Sequence, residues 1–523
     1  FMSQFNRRNL ILAGVGIPML TGLSHSPLRA QPLGANPFTL GVASGDPWPD
    51  GFVIWTRLAP RPLDEHGGMP AVRVPVRWEV SENDSFTRVV RQGEAVARPE
   101  MGHSVHVEVE GLKPHRRYWY RFAVAGSDLS NVGTAVTAPL AGETVQRLRI
   151  GIGGCNHYAQ GFYDAWEHLS REPDLDLVFH YGDYIYEGGG AVAPTAGQGA
   201  APARQHFGGE IYSLDDYRRR YAQYKSDPGL IAVHAASAFA CSFDDHEVDN
   251  NWAGAYDQDG TPPEVFMLRR FAALQAWYEN MPVRRAQFPT PAGVKAYRRL
   301  DYGRLLRMHV LDTRSYRDDQ PCDDRFRGNV CPPEARSANM LGQAQETWLD
   351  EGLGHEANWN LLAQQVIMMP LDFRSEIGGA EGLFATDLWD GYRPARQRLI
   401  DTIRRRRLTN VVVASGDNHR HGAGEIPVDD QVLDGDKIAV EFLASSISSG
   451  GDGEGEKKTA PLMPANPHWR MYTDRRGYQL FDITPREWVT SVKVIDKVSE
   501  PGGIMGTLDT YVVEPHAANL HKA

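Results

Sequence analysis

Four short segments of this 523-residue chain carry side chains able to bind cations and move protons. Cys155, Asn156 and His157 follow the run Ile150-Gly151-Ile152-Gly153-Gly154, and Asp183 and Tyr186 lie in Gly182-Asp183-Tyr184-Ile185-Tyr186-Glu187. Asp244-Asp245-His246-Glu247, with Asn250 just beyond, forms the third segment, and Ser415-Gly416-Asp417-Asn418-His419 the fourth. Each follows an apolar or aromatic run that reads as a buried strand, so thiol, phenol, carboxylate and imidazole groups fall where strands end. In an open α/β sheet that rim is where ligands bind. Hard oxygen donors, imidazole and a thiolate gathered from four strand ends are the parts of a multi-metal hydrolytic centre.

The elements that must position these segments divide the chain in two. Over residues 38–140, short alternating runs such as Phe52-Val53-Ile54-Trp55 and Ser104-Val105-His106-Val107-Glu108-Val109 are separated by turn signals, which predicts a small β-sandwich. Leu112-Lys113-Pro114 followed by Tyr118 and Tyr120 resembles the turn and tyrosine pattern of a fibronectin type III or Ig-like module. Over residues 146–500, apolar strands at 175–179, 307–311, 361–363 and 411–414 alternate with helical stretches at 165–170, 215–225, 266–279 and 394–406, which predicts an α/β layered core. Residues 501–523 read as a C-terminal tail. Residues 188–203 and 448–456 are rich in small residues and read as loops, either flaps over the site or plain connectors.

A hydrophobic fraction of 41% is enough for a full core, and 55 basic against 66 acidic residues leave −11 with no basic stripe, which argues against nucleic-acid docking. The run Arg404 to Arg407 ends a helical stretch, where cations suit the helix dipole. Paired Arg7 and Arg8, an apolar stretch to about Leu23 and Leu28-Arg29-Ala30 read as a twin-arginine signal over residues 1–30. That stretch is too short and glycine-rich for stable membrane insertion, so the expected location is periplasmic or secreted, with the twin-arginine export machinery as partner. Cys322 and Cys331 bracket a polar loop that a disulfide could close in an oxidising compartment; Cys241 reads as a core thiol.

Together with Gly41-Val42-Ala43-Ser44-Gly45-Asp46-Pro47 and Leu311-Asp312-Thr313-Arg314-Ser315-Tyr316, these motifs give a chain that resembles the PhoD-like alkaline phosphatases, distant relatives of the purple acid phosphatases and other calcineurin-like metallophosphoesterases. The resemblance covers most of the chain and implies a metallophosphoesterase core, a β-sandwich flanked by helices. It makes Asp183 the carboxylate shared by two cations, and Tyr186 and Cys155 phenolate and thiolate ligands of ferric iron. Asp245, Asn250, Asp417 and His419 complete the ligand set, with Asp417 in place of a relative's histidine favouring one or two Ca²⁺ at the second position. His246 becomes the acid that protonates the leaving alkoxide, a task suited to imidazole. Asn156 and His157 are candidate contacts of the transferred phosphoryl group, and His421 of substrate or solvent. Arg314 could bind phosphate bidentately or form an ion pair with Asp312 or Asp318.

The activity implied is hydrolysis of phosphate monoesters or diesters by in-line attack of a metal-bound hydroxide. A phospholipase-D-type phosphodiesterase on the same scaffold is the alternative, and a noncatalytic metal-binding adhesion protein a third reading, which would not need His246.

Overall fold

The computed structural model describes residues 35–125, 129–189, 203–290, 293–324, 337–373 and 384–523. The twin-arginine segment, Cys331 and most of the loop 188–203 lie outside them. Two large sheets pack face to face. The first has ten strands, in the order Leu520–Lys522, Met505–Val513, Trp488–Ile495, Gly477–Ile483, Leu148–Gly153, Leu177–His180, Ala238–Cys241, Val42–Trp48, Gly51–Arg57 and Ser104–Val109. The second has seven: Arg298–Tyr302, Leu306–Val310, Trp359–Ala363, Val411–Ser415, Lys437–Leu443, His421–Pro427 and Trp469–Thr473.

Side-chain alternation along the central strands explains the layering, because successive residues of a strand face opposite sides. Leu177 and Phe179 enter the core between the sheets, whereas Val178 faces an outer helical layer with Trp166 and Phe239. In the second sheet Leu361 and Ala363 point inward, while Leu362 packs against Ile400, Ile403 and Leu349 of the outer helices. Strands buried on both faces read as unbroken apolar runs, as Val411-Val412-Val413-Ala414 does. Aromatic pairs cross the interior: Trp359 meets Trp488 at 5.6 Å between ring centroids and Phe442 meets Phe481 at 5.6 Å. The helices at Asp164–Ser170, Leu214–Lys225, Pro263–Asn280 and Arg393–Arg405 fall where helical periodicity places them.

Two expectations about organisation change. The N-terminal unit does contain a separate four-stranded sheet, in the order Val89–Ala97, Val74–Ser81, Arg117–Ala123 and Gly133–Val136. Yet Val42–Trp48 pairs in parallel with Ala238–Cys241, with Ser44 opposite Ala238, so three N-terminal strands extend the main sheet. The Tyr118 hydroxyl accepts the Lys113 N–H at 2.9 Å and fastens the turn. Residues 501–523 are not a loose tail, since they supply the two outermost strands of the ten-stranded sheet. Cys322 is disulfide-bonded.

Candidate metal centre

Parallel pairing brings the expected segments together. Leu148–Gly153, Leu177–His180 and Ala238–Cys241 run parallel in one sheet, and Leu306–Val310, Trp359–Ala363 and Val411–Ser415 in the other. The turns after these strands therefore converge on one rim. Glycine is required where the turns touch. A Cβ on Gly182, at φ 137°, would lie 2.4 Å from the Asp244 nitrogen, and one on Gly416 would lie 2.2 Å from the Tyr181 ring. The residues that follow are themselves strained: Cys155, Asp183, Asp417 and His419 all have positive φ, between 47° and 67°. Non-glycine residues hold such conformations at a cost of about 1–3 kcal/mol each, and they concentrate at functional sites.

Three overlapping groups of donor atoms result, each with all its atoms within 4.8 Å of one another: Cys155, Asp183 and His419; Asp183, Asp245 and His246; and Asp183, Asp244, Asp245 and Asp417. Asp183 belongs to all three. The Tyr186 hydroxyl donates to Asp183 Oδ2 at 2.8 Å and lies 3.2 Å from His419 Nε2, and the Cys155 thiol donates to Asp183 Oδ2 at 3.3 Å. Burial, with the Asp183 carboxylate beside them, holds the Cys155 thiol and the Tyr186 phenol well above their ordinary pKa values. Asp183 and Asp417 are raised too, by burial and by neighbouring carboxylates. Burial pushes His419 down to about 3, leaving a neutral imidazole. A cation is what such a set lacks, because metal binding displaces protons from thiol, phenol and carboxyl groups. Asp244 Oδ2 and Arg314 Nη2, both buried, have no hydrogen-bond partner among the described residues, as expected beside a polar centre. The donor set fits metal ions.

His246 lies at the edge of this cluster. Its Nδ1 is 2.7 Å from Glu187 Oε2 and its ring lies 4.1 Å from the Tyr186 ring centre, tilted by 32°. Burial alone would lower its pKa, but Glu187, Asp245 and Asp183 outweigh it and the imidazole is held protonated well above its usual range. Glu187 also accepts the Asn250 N–H at 2.9 Å. Glu247 organises the backbone instead, accepting N–H groups from Asp183, Tyr184 and Asp244 at 3.0, 2.7 and 2.8 Å.

Four further expected residues have these surroundings. Asn156 is fully buried, its amide donating to the Tyr184 carbonyl at 2.8 Å and its oxygen 2.8 Å from His180 Nε2, so both ends are used in fixing the turn. Asn250 is exposed and donates to Gln258 at 2.6 Å. Arg314 is wholly buried and pairs with neither Asp312 nor Asp318 through its guanidinium; Nε donates to Asp244 at 2.5 Å and Nη1 to Asp387 at 2.8 Å, while Nη2 faces Asp245 and Asp417 at 3.9 and 3.8 Å. It is the counter-charge of the carboxylates. His421 is buried inside a strand, where its Nδ1 accepts the Ser445 N–H at 3.1 Å.

The loop 448–456 proves to be fastened. Ser449 donates to the Cys155 carbonyl at 2.7 Å, lies 2.6 Å from the Tyr186 hydroxyl and accepts the His157 N–H at 3.1 Å. Ser448 donates to the His157 carbonyl at 3.0 Å, and Asp452 accepts the N–H groups of Val498 and Ser499. Ser449 and Glu187 are the partners that sequence reasoning missed. Glu187 directly follows Tyr186 and could have been flagged by that adjacency; a serine in a glycine-rich loop carries no such signal.

A family profile described as PhoD-like phosphatase matches residues 150–492, and one described as PhoD-like phosphatase, N-terminal domain, matches residues 23–139. Alkaline phosphatase D of Bacillus subtilis strain 168 is 42% identical over 537 residues, covering 99% of this chain and 89% of the relative. A solved structure described as the structure of PhoD superposes with a TM-score of 0.88 at 41% identity, covering 94% of this chain and 92% of the other. The chain belongs to the PhoD-like phosphatase family of phosphoric ester hydrolases.

Proposed function

We propose that the protein is an exported, metal-dependent alkaline phosphatase acting on phosphate monoesters, diesters or both, an activity carried from the relative of that name on 42% identity across nearly the whole chain. The observation that supports it most is the membership of Asp183 in all three donor groups. Cys155, Tyr186, Asp183 and His419 would hold a ferric ion, since thiolate and phenolate suit a trivalent iron; Asp183, Asp244, Asp245 and Asp417 would hold Ca²⁺ through oxygen alone. When bound, such ions supply charge neutralisation of the phosphoryl oxygens and a nucleophile at moderate pH.

The chain's own residues do the rest. Asp183 would be the ligand common to the two positions. Glu187 accepts the Nδ1 proton of His246, which orients the ring and leaves Nε2 to deliver a proton to the departing alkoxide. Arg314 offsets the mutual repulsion of the Asp244, Asp245 and Asp417 carboxylates. Paired Arg7 and Arg8 support twin-arginine export, a route that suits a protein folded around its metals before crossing; no helix among the described residues is long and apolar enough to span a membrane.

The test is hydrolysis of a monoester, a diester and phosphatidylcholine by protein stripped with chelator and then restored with iron and calcium. Metal-restored cleavage of the first two is expected. Activity indifferent to chelation, or confined to phosphatidylcholine, contradicts the proposal.

A further inference from the structure

Arg220 is a buried arginine of a different kind from Arg314 and Arg396. Those two meet carboxylates, Asp244 and Asp387 for Arg314, Asp390 and Asp430 for Arg396. Arg220, on the helix Leu214–Lys225, forms no ion pair with a described residue and gives its protons to backbone carbonyls. Nη1 donates to the Tyr186 carbonyl and, at 2.7 Å, to the Gly188 carbonyl, while Nη2 donates to the Gly209 carbonyl at 3.0 Å. Nε, also buried, has no hydrogen-bond partner among the described residues. A buried charge without a counter-ion is costly, and here carbonyl dipoles are what offset it.

The two carbonyls held by Nη1 flank Glu187. The Glu187 carbonyl itself accepts the Ile211 N–H at 3.1 Å, and His206 Nδ1 donates to the Gly188 carbonyl at 2.7 Å. All three carbonyls of residues 186–188 are therefore taken, each by a group at least 18 residues away in sequence. The Glu187 carboxylate is equally committed, with Oε2 2.7 Å from His246 Nδ1 and Oε1 accepting the Asn250 N–H at 2.9 Å. The helix that supplies Arg220 is anchored in turn by a capping box between Ser213 and Asp216. Backbone and side chain of Glu187 are thus fixed together, and Glu187 sets where the His246 ring points.

We propose that Arg220 is a positioning residue for the proton donor: by gripping the carbonyls on both sides of Glu187, it holds the Glu187–His246 pair in the orientation from which His246 protonates the leaving group. The inference rests on the phosphatase reading given above, with His246 as the acid. Lysine is no substitute, because an ammonium lacks the planar fork that serves two carbonyls from one nitrogen and a third from the other. Misplacing a reacting group by about an ångström is enough for a large loss of rate.

The test compares an alkyl phosphate with a nitrophenyl phosphate in the wild type, Arg220→Lys, His246→Ala and the double variant, with metal content measured alongside. Arg220→Lys should lower kcat/KM for the alkyl ester by about 10- to 100-fold and for the nitrophenyl ester by far less, with metal content unchanged. In the His246→Ala background it should cost the alkyl ester nothing further, the non-additivity expected of residues that act through one another. A second readout needs no turnover: in metal-free protein, the downfield imidazole N–H resonance that His246→Ala abolishes should shift or broaden in Arg220→Lys. Equal losses with both esters, additive losses in the double variant, or an unmoved resonance mean that Arg220 serves the fold alone, and overturn the proposal. Where Arg220→Lys does not fold, His206→Phe, which keeps a ring but removes the second donor to the Gly188 carbonyl, goes through the same comparison; a smaller loss confined to the alkyl ester supports the clamp, and an even loss overturns it. Wild type inactive on both esters would instead overturn the phosphatase reading, and the resonance then decides the clamp.

Discussion

The centre has two unlike sides that meet at Asp183. On one, Cys155, Tyr186 and His419 are neutral as they stand, because burial and nearby carboxylates keep protons on the thiol and phenol, and burial keeps one off the imidazole. On the other, Asp244, Asp245 and Asp417 pack around the buried guanidinium of Arg314, so part of their charge is already met by the protein. The first side can become charged only when a cation arrives. The second needs its arginine simply to fold. One side should therefore tolerate substitution with the fold intact, while the other links metal binding to stability.

The largest effect is expected where the sides join. Asp183→Ala should reduce metal content at both positions and bring hydrolysis to background, measured by elemental analysis beside initial rates. Loss of one metal alone would deny it the shared position.

Next comes Arg314→Met, which leaves Asp244 buried without its guanidinium partner, while Asp387 keeps Arg317 and Gln320. Breaking a buried ion pair by removing one member costs about 3–5 kcal/mol, to be read from denaturant unfolding of the metal-free protein. Cys155→Ser should cost far less in that assay, since the serine hydroxyl can keep the contact with Asp183. Equal losses in the two variants would erase the distinction between the sides.

His246→Ala should retain both metals and lose about 10²–10⁴-fold with alkyl phosphates, the usual range for general acid–base catalysis. With a nitrophenyl ester the loss should shrink, because nitrophenolate leaves without a proton. If metal is lost, or both esters suffer alike, His246 is a ligand instead, a role its place in the Asp183 and Asp245 group would permit. The smallest effect belongs to Ser449→Ala. It removes a 2.6 Å hydrogen bond at the Tyr186 oxygen, and loss of such a supporting partner typically costs about 10–100-fold in metal affinity or activity. Its visible absorption from phenolate to iron should shift, whereas Ser448→Ala should leave the band in place.

The parts of this centre that sequence reveals are those whose evidence is local. Cys155, Asp183, Asp245, Asp417 and His419 stand just past apolar runs, and the strand-and-turn pattern alone carries them to the rim. The surroundings of other residues depend on partners far away in sequence. Whether Arg314 meets substrate or carboxylates is decided by Asp244 and Asp387, 70 and 73 residues distant. Asn156 looks free beside Cys155 until His180 and Tyr184, 24 and 28 residues on, supply partners for both ends of its amide. Ser449 reaches Tyr186 across 263 residues, which no periodicity encodes. The same holds for the fold: alternation locates Val42–Trp48 as a strand, but only the tertiary pairing with Ala238–Cys241 makes it part of the main sheet.

The claim that one protein holds two different cations on either side of Asp183 is tested most directly by elemental analysis and visible spectra of Tyr186→Phe and Asp245→Ala, each purified without added metal. Tyr186→Phe should lose the visible charge-transfer band and much of its iron while keeping calcium. Asp245→Ala should keep iron and colour while losing calcium. If both variants lose the same metal, or if the wild type is fully active, colourless and free of iron, the two-sided account is wrong.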